Sequence, residues 1–398
     1  MFIMLLGRQP DISFAELQAV FGATHVTRLT DQSASVTAEV CQIDRLGGVI
    51  KYGRVIHRMP ARSSDRQALV AASHWIHHHY RTRFHEPGKY SLGVSAYHLR
   101  VSPRDVQKTG LLLKQSLKRR GISLRLVPNV DISLSTATVH NNKLGSSPKK
   151  RELIILRAKT ELLIAEGCGA QNITAYRRRD RDRPRRDAFV GMLPPKLAQI
   201  MLNLARGAST TPWQHPAILD PFCGSGTILQ EALLCGYQAY GSDISDKMID
   251  DTTTNLTWLT TTHQPPGIIK AIEQADATTH HWPYARQLDA VVCETYLGRP
   301  FSAPPQPDTL RHVVSTCNRV ISQFLINIKP QLTPGTPLCI AVPAWYGTGE
   351  HGAGERITHL PLLHHLADLG YHQHNRQQLI YHREGQVVGR QLLILSPA

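Results

Sequence analysis

Short apolar runs alternate with helix-length segments through the second half of the chain. The segment LPPKLAQIMLNLAR predicts a helix whose apolar face comprises Leu197, Ile200, Met201 and Leu204. Because regular alternation of strands and helices is typical of a parallel sheet, residues 193–398 predict an α/β domain. A helix near THLPLLHHLADLG then leads to YHQHNRQQLIYH and VVGRQLLIL, which predict a closing antiparallel hairpin. The predicted strands before it are AILD, QAYGSD, GIIKAIEQAD, LDAVVCE and PLCIAVP.

Two smaller units precede this domain. Residues 1–65 predict an α+β unit with a strand at FIMLLG, a helix at PDISFAELQAVFG and strands at SVTAEV and VIKYGRVI. Asp11 or Ser13 would lie near the N-cap of that helix, and Gly22 at its end. Residues 66–170 predict a strand at YSLGVSAY, a basic amphipathic helix at SPRDVQKTGLLLKQSLKRRG, and β-segments at ISLRLVPN, ATVHNN, ELIILRA and ELLIAEGC. Residues 171–192 form a charged connector.

The net charge of the chain is strongly positive, with 45 Lys and Arg against 30 Asp and Glu, or +15. Such an excess favours a polyanionic partner, either nucleic acid or an anionic membrane surface, although a solvated basic surface is the alternative. The connector YRRRDRDRPRRD can likewise be a solvated linker. With nucleic acid as the partner, the cations predicted to contact its phosphates are Lys114, Lys118, Arg119 and Arg120 on the basic helix, and Arg177, Arg178, Arg179 and Arg183 in the connector.

Other features of the composition narrow the class of protein. The N-terminal MFIMLLGRQPD is too short an apolar run for a signal peptide, and no segment has the roughly 20 apolar residues of a membrane span. Seven scattered cysteines, never spaced as C-x-x-C, predict reduced thiols and a cytoplasmic location. In HWIHHHY, His74 and His78 share a helix face, but no carboxylate or thiol completes a ligand set, so no metal is predicted. The oligomeric state stays open, with a monomer as the default.

The segment ILDPFCGSGTILQEALLCG predicts a strand, a glycine-rich turn and a helix. Gly224 and Gly226 allow positive φ angles and a close backbone approach to a ligand beside a helix N-terminus. Asp243 comes seventeen residues after Gly226, at the end of the next strand, where a carboxylate suits a ribose diol. Leu229 occupies the place of the third glycine in the dinucleotide fingerprint, which disfavours NAD. A tight turn without a ligand is the remaining alternative.

The run DPFCGSGT resembles the first motif of amino-group methyltransferases. That resemblance implies that the acid and the glycine turn hold the amino-acid and ribose portions of S-adenosyl-L-methionine. Asp276 matches the place where this fold contacts the adenine amine, although a plain turn aspartate is an alternative. The residues so predicted to bind the cofactor are Asp220, Phe222, Gly224, Ser225, Gly226, Thr227, Asp243, Ile244, Asp276 and Ala277.

Joined to DPFCGSGT, the segment DRPRRDAFVGMLPPKLAQIMLNLA at 182–205 resembles the THUMP-domain tRNA guanine-N2 methyltransferases. LGRQPDISFAELQAVFG, RGISLRLVPN and ATVHNNKL resemble the N-terminal units of the same group. The resemblance implies a ferredoxin-like domain at 1–65 and a THUMP-like domain at 66–170 that grips tRNA by its shape. It also implies a basic linker at 171–192 and a Rossmann-like catalytic domain at 193–398.

The predicted strand LDAVVC ends in ETYLG, where the family has D-P-P-Y. In that family the carboxylate and a backbone carbonyl accept hydrogen bonds from an exocyclic amine, and the aromatic ring stacks on a flipped base. Glu294 falls where the aspartate belongs, while Thr295 and Tyr296 replace the prolines and Leu297 replaces the tyrosine. We interpret Glu294, Thr295 and Tyr296 as a remodelled catalytic motif, with strand-end decoration as the alternative.

The sequence therefore predicts a tRNA guanine-N2 methyltransferase that uses S-adenosyl-L-methionine. Two other hypotheses stay open. One is an amino-methyltransferase that acts on an adenine or guanine of rRNA or DNA. The other is a non-catalytic RNA-binding protein that keeps a vestigial methyltransferase fold.

Overall fold

The structure, a computed structural model, describes residues 1–84, 88–186, 192–209, 213–347, 357–375 and 377–398. Part of the segment 182–205 that carries the family resemblance, residues 187–191, lies outside the described residues. The chain divides into two compact units. The first comprises Met1–Asp44 and Gly48–Ala175, and the second comprises Arg45–Gly47 and Tyr176–Ala398.

One sheet forms the centre of the first unit, and its eight strands within the described residues follow the order β2-β3-β1-β4-β8-β7-β5-β6. Strand β5 is parallel to β6 and β7, and the other neighbours are antiparallel. The strands are β1 (Phe2–Leu6), β2 (Val26–Thr30), β3 (Ser33–Val36), β4 (Val49–Pro60), β5 (Lys89–Tyr97), β6 (Ser123–Leu126), β7 (Lys150–Arg157) and β8 (Glu161–Ala170), and the helices are α1 (Pro10–Phe21), α2 (Asp65–Tyr80), α3 (Pro103–Lys118) and α4 (Thr136–Asn141).

One predicted strand of this unit is wrong. ATVHNN is a helix and not a strand, because the Ser135 side chain accepts a hydrogen bond from Thr138 N and so caps α4. Helix α1 begins at Pro10 after its N-cap Gln9, so Asp11 lies in its first turn as predicted, and Gly22 ends the helix at a φ of 85°. The predicted division into domains at residue 65 stays a prediction.

The second unit is a mostly parallel sheet with helices between its strands. Its order is β11-β10-β9-β12-β13-β17-β15, with β14 paired to β13 and β16 paired to β17. The strands are β9 (Ala217–Asp220), β10 (Gln238–Asp243), β11 (Ile268–Gln274), β12 (Ala290–Glu294), β13 (Leu338–Tyr346), β14 (Ile357–Thr358), β15 (Tyr371–Gln373), β16 (Leu379–Tyr381) and β17 (Val388–Pro397), and the helices are α5 (Ile173–Arg177), which begins in the first unit, α6 (Pro195–Ala208), α7 (Thr227–Leu234), α8 (Asp246–His263) and α9 (Pro307–Ile328).

This architecture confirms the predicted Rossmann-like α/β fold. Strands β9 to β13 are parallel, and β17 joins β13 in antiparallel register from Leu338↔Leu395 to Trp345↔Val388. The predicted apolar face of α6 is buried at all four positions. One predicted helix is wrong: in THLPLLHHLADLG the described structure is a short 3₁₀ turn at Pro361–His364. Three leucines of this segment are buried even though no regular helix forms: Leu360, Leu362 and Leu366.

Membrane spans and metal clusters are both absent from the described residues. No helix in the described part of the chain is long and apolar enough to cross a membrane. Nor do the residues that the structure describes contain a group of three or more His, Cys, Asp or Glu side chains that could hold a metal ion.

Candidate active site

A glycine turn connects β9 to α7 at residues 221–226. Gly224 and Gly226 have φ angles of 51° and 83°, in the left-handed region that side chains disfavour. A Cβ atom added to Gly224 would meet nothing within 4 Å, so this backbone faces open space. A Cβ atom added to Gly226 would come within 3.1 Å of Thr252 Oγ1. The turn therefore requires its glycines for conformation and for close packing.

Side chains of β10 and α8 form hydrogen bonds with the backbone of the glycine turn. Asp243 Oδ2 accepts a hydrogen bond from Gly224 N at 3.0 Å, and its Oδ1 accepts one from Ser245 N at 2.9 Å. Thr252 Oγ1 donates to Gly224 O at 2.6 Å, and Asn255 Nδ2 donates to the carbonyl of Ser225 at 2.9 Å. Asp243 is thus a brace for the turn, and each of its oxygens keeps a further lone pair for a ligand.

Carboxylates lie at or just after the carboxyl ends of four neighbouring strands. Asp276 follows β11, while Asp243, Asp220 and Glu294 end β10, β9 and β12. Because these strands are parallel and adjacent, the four side chains lie along one edge of the sheet. Asp276 Oδ1 accepts hydrogen bonds from the hydroxyl and the N–H of Thr278, which lower the pKa of this exposed carboxyl.

A cavity of about 110 Å³ joins the glycine turn to Glu294. Six of the predicted site residues line it. The predicted residues Gly226, Asp243, Ile244, Asp276 and Ala277 are not part of its lining; Ile244 is exposed and Ala277 is buried. Sequence reasoning missed the other five lining residues, since nothing in a sequence marks such side chains as a cavity wall. The lining comprises the predicted Asp220, Phe222, Gly224, Ser225, Thr227 and Glu294, with Met192, Leu193, Cys223, Ile228 and Met248.

Asp220 is the buried acid of this cavity, with only 2% of its surface exposed. Its Oδ1 accepts a hydrogen bond from Phe222 N at 3.1 Å. Burial raises the pKa of Asp220 well above its usual range, and the nearby carboxylates of Asp243 and Glu294 raise it further. A cationic ligand group would relieve both effects.

Glu294 forms an ion pair with Arg390, a residue of β17 that sequence reasoning missed. The Arg390 Nε group donates to Glu294 Oε1, and Arg390 is 7% exposed. Burial raises the pKa of Glu294, and the arginine partly offsets that rise. The sequence did contain a signal for this pair: an arginine within the apolar run VVGRQLLIL. Because arginine is rarely buried without a partner, such a residue indicates a buried acid nearby.

The other two predicted catalytic residues lie apart from the cavity lining. Thr295 is 3% exposed, and both its N–H and its Oγ1 donate to Ala341 O, at 3.0 and 2.9 Å. The Thr295 hydroxyl therefore links the end of β12 to β13. Because a hydroxyl has only one proton to donate, it has none left for a substrate. Tyr296 is 44% exposed, so its ring is accessible to a stacking partner.

Two of the arginines predicted to bind RNA are buried in the second unit. Arg179 Nε and Nη2 donate to the two oxygens of Glu231, at 2.8 and 3.2 Å. Arg183 is 3% exposed, and its Nη1 donates to Thr227 Oγ1 at 2.8 Å. An RNA phosphate does not reach groups held in this way, which corrects the expected contact for these two residues. Arg177 and Arg178 are exposed and stay candidates.

Replacing Arg179 by Met is expected to lower the free energy of unfolding by about 3–5 kcal/mol, because Glu231 would be left as an unpaired buried carboxylate. Glu231 is 1% exposed, and burial already raises its pKa against the pull of Arg179. Urea unfolding followed by tryptophan fluorescence measures the change. The exposed Arg178→Met variant is the control and should stay within about 0.5 kcal/mol of the wild type. Equal stability of the two variants would contradict the structural role of the pair.

The basic helix α3 of the first unit presents its predicted cations to solvent. Leu113 and Leu117 are buried, whereas Lys114, Lys118 and Arg119 are exposed on the other faces. Arg120 is also exposed, and its Nη1 group donates to the backbone carbonyl of Arg81. An exposed cationic face of this kind is compatible with phosphate binding.

The second unit has a Rossmann-like fold with a cavity at the carboxyl ends of its parallel strands. Residues 183–323 match the UPF0020 family, described as an RMKL-like methyltransferase domain. The resemblance to tRNA guanine-N2 methyltransferases is confirmed by curated relatives that match part of the chain. The THUMP-like domain stays a prediction.

Several curated relatives share parts of the sequence. The tRNA (guanine(10)-N2)-dimethyltransferase of Methanothermobacter thermautotrophicus is 30% identical over 155 residues, which cover 39% of this chain and 40% of that protein. The enzyme of the same name from Methanocaldococcus jannaschii is 40% identical over 81 residues, or 20% of this chain and 22% of that protein. This chain thus spans well under half the length of the curated relatives that it matches.

A solved structure is similar over the entire chain. TrmN from Thermus thermophilus aligns with 100% of this chain and 99% of its own, with a TM-score of 0.51 and 16% sequence identity. At this identity the likeness concerns the fold alone, and it supports the predicted fold class.

Proposed function

We propose that this protein is an S-adenosyl-L-methionine-dependent methyltransferase that modifies the exocyclic N2 amine of a guanosine in tRNA. The observation that carries the proposal is the cavity in which the glycine turn and Glu294 meet. A turn that brings backbone close to a cofactor and a carboxylate that accepts a hydrogen bond from an amine would together align the two reactants of amine methylation. The names of the curated relatives supply the substrate class.

The residues around the glycine turn fit the proposed cofactor. Open space in front of Gly224 admits a ligand against the backbone, and the half-buried Asp243 offers acceptor lone pairs to a ribose diol. Asp220, whose burial disfavours its charge, would be stabilised by the ammonium group of the amino-acid portion. When bound, the cofactor supplies an electrophilic methyl group on a sulfonium.

Glu294 would orient the amine. An ionised carboxylate only accepts hydrogen bonds, so it would take an N–H of the target amine and fix the direction of the nitrogen lone pair. Arg390 favours the ionised form of Glu294 against the effect of burial. The exposed ring of Tyr296 would stack on the base, a contact that contributes roughly 1–3 kcal/mol. No metal is needed for this chemistry.

The exposed cations are proposed to hold the RNA by its phosphates. Replacing Lys114 and Lys118 together by Gln is expected to weaken tRNA binding and to flatten its salt dependence. The slope of log affinity against log salt should fall by roughly 0.7–0.9 for each phosphate that the variant no longer neutralises. Filter binding of tRNA across a salt series measures this, and the affinity for S-adenosyl-L-methionine should not change. An unchanged slope would show that the exposed face of α3 is solvated and does not bind RNA phosphates. The same measurement on an Arg177→Gln, Arg178→Gln variant tests the connector.

Mass spectrometry of nucleosides tests the function as a whole. Unmodified tRNA is incubated with the protein and methyl-labelled cofactor, digested, and searched for labelled N2-methylguanosine and N2,N2-dimethylguanosine. Labelled methyl groups on another base of tRNA would favour an amino-methyltransferase with a different target. The same holds for label in rRNA or DNA that is incubated in parallel. Cofactor binding without any labelled nucleoside would weaken the proposal, and absence of cofactor binding would favour a non-catalytic RNA-binding protein.

A further inference from the structure

Arg183 is a buried cation without a carboxylate partner among the described residues. It is 3% exposed, and its hydrogen bonds go to Thr227 Oγ1 at 2.8 Å and to Met192 Sδ at 2.6 Å. Its Nε group is buried and has no acceptor in the part of the chain that the structure describes. A hydroxyl and a thioether are neutral partners, and the thioether is a weak acceptor. A guanidinium in such surroundings is costly unless an anion comes near it.

The acids near Arg183 do not act as its counter-ions. Asp180 and Glu231 are close enough to favour its charge, yet neither forms an ion pair with it among the described residues, and Glu231 is held by Arg179. Burial, together with the nearby charge of Arg186, outweighs these two acids and lowers the pKa of Arg183. The contrast with Arg179 is informative, because these two arginines of one short segment are both buried and, within the described structure, only Arg179 has a carboxylate partner.

Both hydrogen-bond partners of Arg183 line the cavity of the glycine turn. Thr227 is the first residue of α7, and Met192 lies on the cavity wall. Since Thr227 Oγ1 accepts from Arg183, its own proton stays available for donation to another group. The first N–H groups of a helix also lack acceptors within the helix and favour an anion. Thr227 thus lines the cavity at the start of α7, and the charge of Arg183 lies one hydrogen bond behind it.

We propose that Arg183, acting through Thr227, recognises the α-carboxylate of the amino-acid portion of S-adenosyl-L-methionine. This inference rests on the proposed function, because it assumes that this cofactor occupies the cavity. Asp220 lies in the same lining as Thr227, so the cavity offers an acid for the ammonium group and, for the carboxylate, a hydroxyl that is hydrogen-bonded to Arg183. Arg183 is a positioning residue: it holds the Thr227 hydroxyl and supplies the compensating charge.

Calorimetric titration of the full chain with two ligands tests this inference. S-adenosylhomocysteine carries the carboxylate, whereas methylthioadenosine keeps the nucleoside and the thioether but lacks the amino-acid portion. Arg183→Met is expected to weaken S-adenosylhomocysteine about ten- to a hundredfold, the range for a hydrogen bond to a charged group. Methylthioadenosine should bind within about twofold of the wild type. Thr227→Val should show the same selective loss, and Arg183→Lys a smaller one.

Arg186→Met is the matched control, because Arg186 is an exposed arginine of the same segment. It should leave both affinities unchanged. Equal loss of both ligands in Arg183→Met and Thr227→Val would overturn the inference, since it would mean that the pair only supports the turn. Unchanged affinities, or weaker tRNA binding alone, would also overturn it. If Arg183→Met does not fold, Thr227→Val decides. A wild type that binds neither ligand would instead refute the proposed function.

Discussion

Replacing Glu294 by Gln is expected to lower the rate of tRNA methylation about a hundredfold or more. Gln keeps the size of the side chain but turns one acceptor into a donor, which would face the donor N–H of the target amine. Gln can still accept from Arg390, so the cavity wall should keep its packing. Single-turnover methylation of unmodified tRNA under saturating cofactor measures the rate.

Two comparisons separate this effect from damage to the site. The affinity of Glu294→Gln for S-adenosyl-L-methionine should change little, because the carboxylate is proposed to face the base. Tyr296→Phe, which keeps the ring, should be mild, whereas Tyr296→Ala should lose tRNA affinity as well as rate. Methylation at the wild-type rate by Glu294→Gln would show that this acid is only a strand-end residue, and the proposed active site would be wrong.

Replacing Asp243 by Ala is expected to weaken S-adenosyl-L-methionine binding up to about a hundredfold. Loss of the proposed ribose hydrogen bonds accounts for roughly 1–3 kcal/mol. The variant also removes the acceptor of Gly224 N, so the glycine turn loses its brace from β10. Calorimetric titration with the cofactor measures the effect, and thermal melting confirms that the chain stays folded.

Asp246→Ala is the matched control for this measurement. Asp246 is an exposed carboxylate three residues further along, at the start of α8. Its removal changes the net charge equally and should leave the affinity within about twofold, as expected for a surface substitution. If both variants bind as the wild type does, Asp243 has no role in cofactor binding. If both lose affinity equally, the effect is one of overall charge.

The order of elements in the second unit was predictable because its apolar runs are regular. The strands at β9 to β13, the glycine turn and the buried face of α6 follow from periodicity and turn chemistry alone. The wrong predictions concern two short segments. Ser135 caps a helix in a segment that reads as a strand, and the buried leucines after Leu360 are satisfied by a single 3₁₀ turn.

The burial and the partners of the charged residues could not be predicted from the sequence. The run YRRRDRDRPRRD has the composition of a solvated connector, yet Arg179 and Arg183 are buried. Each is fixed by a partner more than forty residues away, Glu231 and Thr227, and such pairing has no signature in local composition. The pair of Glu294 with Arg390 spans 96 positions in the chain. Positions of acids at strand ends are local information, whereas their counter-ions depend on tertiary structure.

Strand β17 comes last among the described strands, yet it lies between β13 and β15 in the interior of the sheet. While the chain is being synthesised, β13 therefore keeps an open edge of unpaired backbone groups until residues 388–397 have left the ribosome. The same residues bring Arg390 to Glu294. A nascent chain that already contains the glycine turn and the ETYLG motif would still lack the counter-ion of its acid. Formation of the Glu294–Arg390 pair is thus coupled to translation of residues 388–397, so a product truncated before them would expose the edge of β13 and lack the ion pair of the proposed active site.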